Sequence, residues 1–157
     1  MLSRVLLLAL TLLLGACAGQ TPVPASSPEL TSALPISLQI ERTQNSEQRD
    51  WLLVIQAEGQ TLRWSLFDPL GVPLARQLLE HGEWHNDGLL PPNAEARELF
   101  AAILFALTPA SQLPQLYPQA RQQGKRRWLD DRWQVTYRAS DRFDLNLGQG
   151  LRYVIDP

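Results

Sequence analysis

The amino-acid sequence predicts an α+β domain in which one main helix separates two runs of antiparallel strands. Residues 36–85 and 126–155 alternate apolar and polar side chains with the period of half-buried strands. Between them, residues 94–107 carry apolar side chains at helical spacing. Turn-forming residues interrupt both alternating runs, which is typical of strands joined by hairpins. We therefore expect about eight strands with one helix inserted between the two runs.

The first run contains five predicted strands. Trp84 is the apolar anchor of the fifth, and the turn Asp68-Pro69-Leu70-Gly71 precedes the fourth. Proline presets φ for a turn, and glycine permits a positive φ, so this tetrapeptide is a strong turn signal. The predicted strands cover residues 36–41, 51–55, 62–66, 74–78 and 81–85.

Pro91-Pro92 ends the first run, and the next residues predict a helix from about Ala94 to Leu107. Asn93 is a favourable N-cap, and Glu95 lies in the first turn, where the helix dipole favours a negative charge. The second half of this helix is apolar nearly all round. It is therefore either buried on most sides or covers an apolar cavity. Its stripe consists of Leu99, Phe100, Ile103, Leu104 and Leu107.

The second run follows a segment that we interpret as a covering loop. Residues 109–123 contain three prolines and many glutamines, and Pro109 ends the helix. Strand patterns return after Gly124. They cover residues 126–129, 133–137, 143–147 and 151–155.

The N-terminus has the pattern of a secretion signal. Of the ten residues 5–14, nine are apolar, whereas a membrane-spanning helix needs about 20. The following Leu14-Gly15-Ala16-Cys17 resembles the lipobox of bacterial lipoproteins, in which small residues precede the cysteine that is acylated. The alternative is an ordinary signal peptide that contains a cysteine. We expect residues 1–16 to be removed and the mature chain to begin at lipidated Cys17.

The expected domain organisation follows from this site. Residues 17–35 are predicted to be the lipidated N-terminus and a flexible, Pro-rich tether, and residues 36–157 a single domain. Ala18 stands where an aspartate would favour retention in the inner membrane of a Gram-negative cell. We therefore expect an outer-membrane protein that is anchored by its lipid and faces the periplasm.

The order of these features resembles LolB, the outer-membrane receptor for lipoproteins, and its periplasmic relative LolA. The closer likeness is to proteobacterial lipoproteins often encoded with aryl polyene or fatty-acid-synthase-like gene clusters. This likeness is found in the stretch from Leu66 to Leu107, which contains Asp68-Pro69-Leu70-Gly71 and then Leu90-Pro91-Pro92 before the helix. The likeness implies an unclosed half-barrel whose concave face is covered by the helix and a loop. It also implies binding of a lipid-like or acylated ligand, such as an aryl polyene, and transfer from a LolA-like carrier to the outer membrane.

Five tryptophans stand mostly at alternating strand positions, and they either fill the core or line a ligand cavity. The same two interpretations apply to aromatic and apolar residues of the helix and last strands. The candidate ligand-binding residues are Trp64, Leu66, Trp84, Phe100, Leu104, Trp133 and Tyr137.

Leu70 is a candidate for membrane contact, because an apolar side chain at the tip of a turn is exposed unless something covers it. In LolB, the leucine of the matching turn lies in a protruding loop, which implies that Leu70 enters lipid. The alternative is that Leu70 folds back on the sheet.

Lys125-Arg126-Arg127, with Arg121, is the basic cluster of the chain. It either meets anionic lipid headgroups or is a solvated hairpin, and the following Asp130-Asp131 favours the hairpin.

Several classes of function are disfavoured. The formal net charge of −2 lacks the positive excess of a nucleic-acid-binding protein. His81 and His85 would lie about 13 Å apart on a strand, too far to share one metal ion. Nucleophile-elbow and phosphate-loop motifs are absent from the sequence, and the paired aspartates fall in turns. We expect a protein without enzymatic activity, metal or cofactor. The rival to lipid transfer is a structural lipoprotein that binds another envelope protein, for example through a sheet edge.

Overall fold

The computed structural model describes residues 20–157 of the chain. The predicted signal peptide and the lipidation site at Cys17 lie outside the described residues. Within residues 20–157, no single helix is both long and apolar enough to cross a membrane. The one pair of helical segments that passes on combined length and composition, Ala94–Leu107 with Ala110–Leu116, bends by 100° at its break.

Ten strands form one open antiparallel sheet, which confirms the predicted class. They are β1 (Ile36–Gln44), β2 (Glu47–Glu58), β3 (Thr61–Phe67), β4 (Pro73–Glu80), β5 (Glu83–Asn86), β6 (Ala120–Gln123), β7 (Arg126–Leu129), β8 (Trp133–Tyr137), β9 (Phe143–Asn146) and β10 (Arg152–Asp156). Their spatial order is β5-β4-β3-β2-β1-β10-β9-β8-β7-β6. The two runs are therefore two meanders that meet where β1 pairs with β10, and β5 and β6 are the edges.

The register of the sheet follows from the apolar alternation. Leu38 lies opposite Leu53, which lies opposite Leu66, which lies opposite Ala75, and all four side chains are buried on the same face. A slip of one residue would move such a row to the opposite, more polar face, so the burial of this face specifies the pairing.

The main helix, α1 (Ala94–Leu107), has the predicted boundaries. The side chain of Asn93 accepts a hydrogen bond from the backbone N–H of Ala96 at 2.9 Å, as an N-cap should. Glu95 lies in the first turn, as expected, and Thr108 is the C-cap. Pro109 follows immediately and cannot continue the helix.

The helix α1 is buried on nearly every side, which decides between the two predicted interpretations of its apolar surface. Its whole second half is buried, from Leu99 to Leu107. The buried residues of α1 form one core cluster with the inward side chains of the sheet and with Leu113 and Leu116 of the short helix α2 (Leu113–Leu116). This explains why α1 has almost no polar face after its second turn.

The N-terminal segment 20–35, here called the strap, differs from the expected flexible tether. It packs along α1 and runs in the same direction as the helix: the Thr21 hydroxyl donates to Glu98 at 3.2 Å, and the backbone N–H of Thr31 donates to Leu107 O at 2.9 Å. Pro24 is buried, and the Ala25 N–H donates to Leu116 O. The strap has no periodic apolar pattern that would predict this packing, although Leu30 and Leu34 also pack against the core.

Three further details depart from the sequence predictions. The region interpreted as a covering loop contains the short helix α2 and the strand β6, whose polar residues gave no alternating signal. Strand β5 begins at Glu83 rather than His81, because His81 and Gly82 adopt positive φ angles in a tight turn. Finally, Arg127 is buried in the core instead of lying in a fully solvated hairpin.

Candidate functional site

A cavity of about 530 Å³ opens at the end of the sheet where the β3–β4 turn meets the first turn of α1. We call it the mouth cavity. It combines an apolar wall with a charged rim, the arrangement that an amphiphilic ligand requires. The lining residues are Arg49, Asp50, Trp51, Leu66, Asp68, Pro69, Leu74, Asn93, Glu95 and Ala96.

A register irregularity places one of the apolar residues. Leu66 pairs with Ala75, but the next residue, Phe67, pairs with Pro73, so Leu74 has no partner in β3. An extra residue of this kind bends a strand and re-aims a side chain. Leu74 lies half-buried in the cavity wall, although the alternation of β4 would assign it to the opposite face.

An ionic cluster lies beside the cavity, in which Arg42 is buried and Glu95 is partly exposed. Arg42 Nε donates to Glu95 Oε1 at 2.5 Å, and the Tyr153 hydroxyl donates to the same oxygen at 2.8 Å. The Arg42 guanidinium also lies over the Trp51 ring, 5.8 Å from its centroid. Burial raises the pKa of Glu95, but the hydrogen bonds from Arg42 and Tyr153 outweigh it, so the pKa is below its usual value. Glu95 therefore stays ionised beside the cavity at neutral pH.

Glu98, one turn further along α1, joins the helix to the strap and to the β7–β8 turn. Its carboxylate accepts from Arg132 at 2.6 and 2.8 Å and from the Trp133 indole N–H at 2.7 Å. Arg132 also donates to the carbonyl of Gln20, the first residue described. Burial opposes ionisation of Glu98, yet these donors lower its pKa. Gln20, where the described domain begins, therefore lies beside the N-terminal half of α1.

The β3–β4 turn holds its leucine outward. Asp68 Oδ1 accepts from the backbone N–H groups of Leu70 at 2.9 Å and Val72 at 2.8 Å, and Gly71 has a φ of 81°. Leu70 is 89% exposed and Val72 52%. Leu70 therefore does not fold back on the sheet, which was the alternative to membrane contact.

Most of the seven candidate ligand residues lie in a filled core. Trp64 packs against Phe100, with ring centroids 5.5 Å apart, and against Trp84 at the same distance. Leu104 is fully buried. Trp133 is bonded to Glu98, and the Tyr137 hydroxyl donates to Ala106 O at 2.7 Å.

Two of the seven residues line cavities: Leu66 lines the mouth cavity, and Trp84 lines a groove beside the strap. The buried indole N–H groups of Trp64 and Trp84 find no acceptor among residues 20–157. An unpaired buried donor is costly, and a ligand oxygen would remove that cost.

Sequence reasoning missed Arg42, Trp51 and Glu95 as parts of one site. The available signal was the alternation in β1, since Arg42 follows Ile36, Leu38 and Ile40 at the inward positions. A charged residue in that phase predicts a buried cation that requires a carboxylate partner. The identity of that partner depends on the placement of α1, which is a long-range contact.

No family model matches this chain, and no curated protein matches it in sequence.

Proposed function

We propose that this protein is an outer-membrane lipoprotein that binds a lipid-like or acylated ligand in its mouth cavity and helps transfer it to the membrane. The supporting observation is the apolar cavity at the N-terminus of α1, with the exposed Leu70 turn forming part of the same end of the sheet. A volume of about 530 Å³ is within the range of small-molecule sites.

The chemistry of the cavity favours an amphiphile. Trp51, Leu66, Leu74 and Ala96 offer an apolar wall, on which each buried CH₂ group contributes about 0.8 kcal/mol. Arg49 and Asp50 are exposed on the rim and can bond a polar headgroup. Deeper entry would bring an acyl chain toward Trp64, Phe100 and Trp84, which requires α1 to move because those rings are in contact.

In the proposed transfer, the ligand passes from one protein to the next without a chemical reaction. A LolA-like carrier would present the ligand to the mouth cavity, and the lipid anchor on Cys17 would keep the domain at the membrane. Leu70 would enter the bilayer and open a path for the acyl chain. These roles are the ones that the resemblance to LolB implies.

A cavity-filling substitution tests the site. Leu74→Trp should reduce lipid bound to the full-length protein at least about tenfold, because an indole occupies the space of an acyl segment. Native mass spectrometry, with a defined fatty acid added in detergent, measures the bound fraction. Leu78→Trp is the matched control, since Leu78 is also a half-buried leucine of β4. Equal binding by the two variants would contradict the proposed site.

The rival function, binding of another envelope protein, is favoured by the filled interior. Trp64, Phe100, Leu104 and Trp133 occupy the space that a large lipid cavity would need. If the wild-type protein carries no lipid after mild purification and takes up no fatty acid, lipid transfer fails and this function is preferred.

A further inference from the structure

The hairpin formed by β6 and β7 carries a basic surface remote from the mouth cavity. Arg121, Lys125 and Arg126 are exposed, and residues 120–129 contain no acidic residue. In the part of the chain that the structure describes, none of these three cations forms an ion pair. We call these residues, with the outer side of β6, the basic edge.

This concentration of charge is unusual for the molecule. The chain has a formal net charge of −2, and other arginines on the sheet are neutralised locally. Arg138 lies 3.0 Å from Asp156, Arg152 lies 2.6 Å from Asp144, and Arg63 lies 2.9 Å from Asp87. The cations of the basic edge are therefore available to an external anion, whereas these other arginines are already paired with carboxylates.

The backbone beside these cations is an open sheet edge. Strand β6 is last in the spatial order, so its outer N–H and C=O groups have no partner strand among residues 20–157. The other edge, β5, is different: Gln20, Thr21 and Val23 of the strap line a groove together with Glu83 and Trp84. β6 contains no proline that would prevent pairing.

A groove of about 530 Å³ borders the same edge and is lined by Arg121, Gln122, Gln123 and Trp128. Arg121 lies directly opposite Trp128 in the register of the hairpin, and Trp128 is half-buried. Side chains of an added strand would meet a cation, an amide and an aromatic surface in this groove. These groups suit carboxylates at alternating positions and β-branched or aliphatic residues between them.

We propose that the basic edge binds an extended acidic segment of a partner protein as an added β-strand. Main-chain hydrogen bonds to β6 provide affinity, and Arg121, Lys125 and Arg126 select the sign of the partner's charge. A second copy of this chain that paired through its own β6 is a poor occupant, because it would bring the same cations against them. The proposal does not depend on a lipid cargo.

The test measures fluorescence anisotropy of a labelled peptide with the full chain in detergent. The peptide has about eight residues, which is within the usual range of strand lengths, and it alternates valine and glutamate. We expect saturable binding that weakens at least about tenfold in the triple variant Arg121→Glu, Lys125→Glu, Arg126→Glu. Arg142→Glu is the control, since Arg142 is exposed in the β8–β9 turn, and it should leave binding nearly unchanged.

A second peptide separates strand addition from simple charge attraction. N-methylation of alternate backbone amides keeps every carboxylate but removes donors that pair with β6, so it should abolish binding. Equal affinity of the methylated and unmethylated peptides would overturn the proposal, as would the absence of peptide binding. Charge-dependent binding to vesicles of anionic phospholipid without any to the peptide would also overturn it and assign the basic edge to a membrane.

Discussion

The two ends of α1 use charge in opposite ways. At the N-terminal end, Glu95 and Glu98 accept hydrogen bonds from Arg42 and Arg132 beside a cavity that opens to solvent. At the C-terminal end, the buried Arg127 donates to the carbonyls of Phe105 at 2.6 Å and Thr108 at 2.8 Å. The first end is accessible to a ligand, whereas the second is closed by a side chain.

Arg127 has no carboxylate among its hydrogen-bond partners in the described chain. It is compensated by carbonyls at the negative end of the helix dipole and by the faces of Phe105 and Tyr137, at 5.5 and 5.1 Å. Burial lowers the pKa of Arg127. Burial also raises the pKa of Tyr137 to about 12, so Tyr137 stays neutral near pH 7. One helix therefore has a terminus that is closed by a buried side chain and a terminus that lies beside an open cavity.

The largest expected effect is at the closed end. Arg127→Leu should lower the free energy of unfolding by about 3 kcal/mol, because buried carbonyls of α1 lose their donors. Urea unfolding followed by tryptophan fluorescence measures the loss. Arg126→Leu, at the exposed neighbouring position, should change it by less than about 0.5 kcal/mol. If the two variants were equally stable, Arg127 would have no special role as a cap.

The next effect is at the open end. Glu95→Gln should lower the free energy of unfolding by about 2 kcal/mol, because Arg42 remains charged and buried without its carboxylate. Glu47→Gln is the matched control, since Glu47 pairs with Arg49 while more than half exposed, and such pairs contribute little. Chemical denaturation of both variants compares them, and similar losses would contradict the assignment of a structural ion pair.

A pH titration sharpens the same contrast. The pKa values of Glu95 and Glu98 are lowered in the folded protein from their ordinary value of 4.5. Below about pH 4.5 the unfolded chain therefore binds more protons than the folded protein does. The stability that the ionised Glu95 and Glu98 contribute is lost as the pH falls through their lower folded-state pKa values. The double variant Glu95→Gln, Glu98→Gln should show a shallower loss of unfolding free energy between pH 5 and 3, whereas Arg127→Leu should retain the wild-type slope.

The smallest effect on stability is expected at the β3–β4 turn. Leu70→Glu should alter the free energy of unfolding by less than about 0.5 kcal/mol, because the side chain is almost fully exposed. Under the proposed function it should nevertheless reduce delivery of a fluorescent fatty acid to vesicles several-fold. Leu89→Glu, at another fully exposed leucine, is the control. Unchanged delivery would remove Leu70 from the proposed mechanism.

Local patterns explain how much of the fold was predictable. Asn93, Glu95 and Pro109 specify the ends of α1 through short-range chemistry, and alternation specifies the inward faces of β1 and β4. Strand β6 was missed because an edge strand needs no apolar alternation. The strap was misassigned because its contacts with α1 lie about eighty residues away in sequence, as between Thr21 and Glu98.

The candidate site was less predictable than the fold. Trp64, Phe100 and Trp133 were recognised as large inward side chains, but periodicity does not distinguish a cavity wall from a filled core. The mouth cavity depends on the irregular pairing that turns Leu74 inward and on the position of Glu95 near Arg42. Both depend on how the two meanders and α1 pack together.

The sequence by itself determined the antiparallel α+β class and the boundaries and cap of α1, because each depends on neighbours within a few residues. Only the tertiary structure decided that Arg127 is buried, that the strap lies along α1, and that the accessible cavity is at the mouth. Those outcomes depend on desolvation and on hydrogen-bond partners supplied by distant segments, which local sequence patterns do not encode.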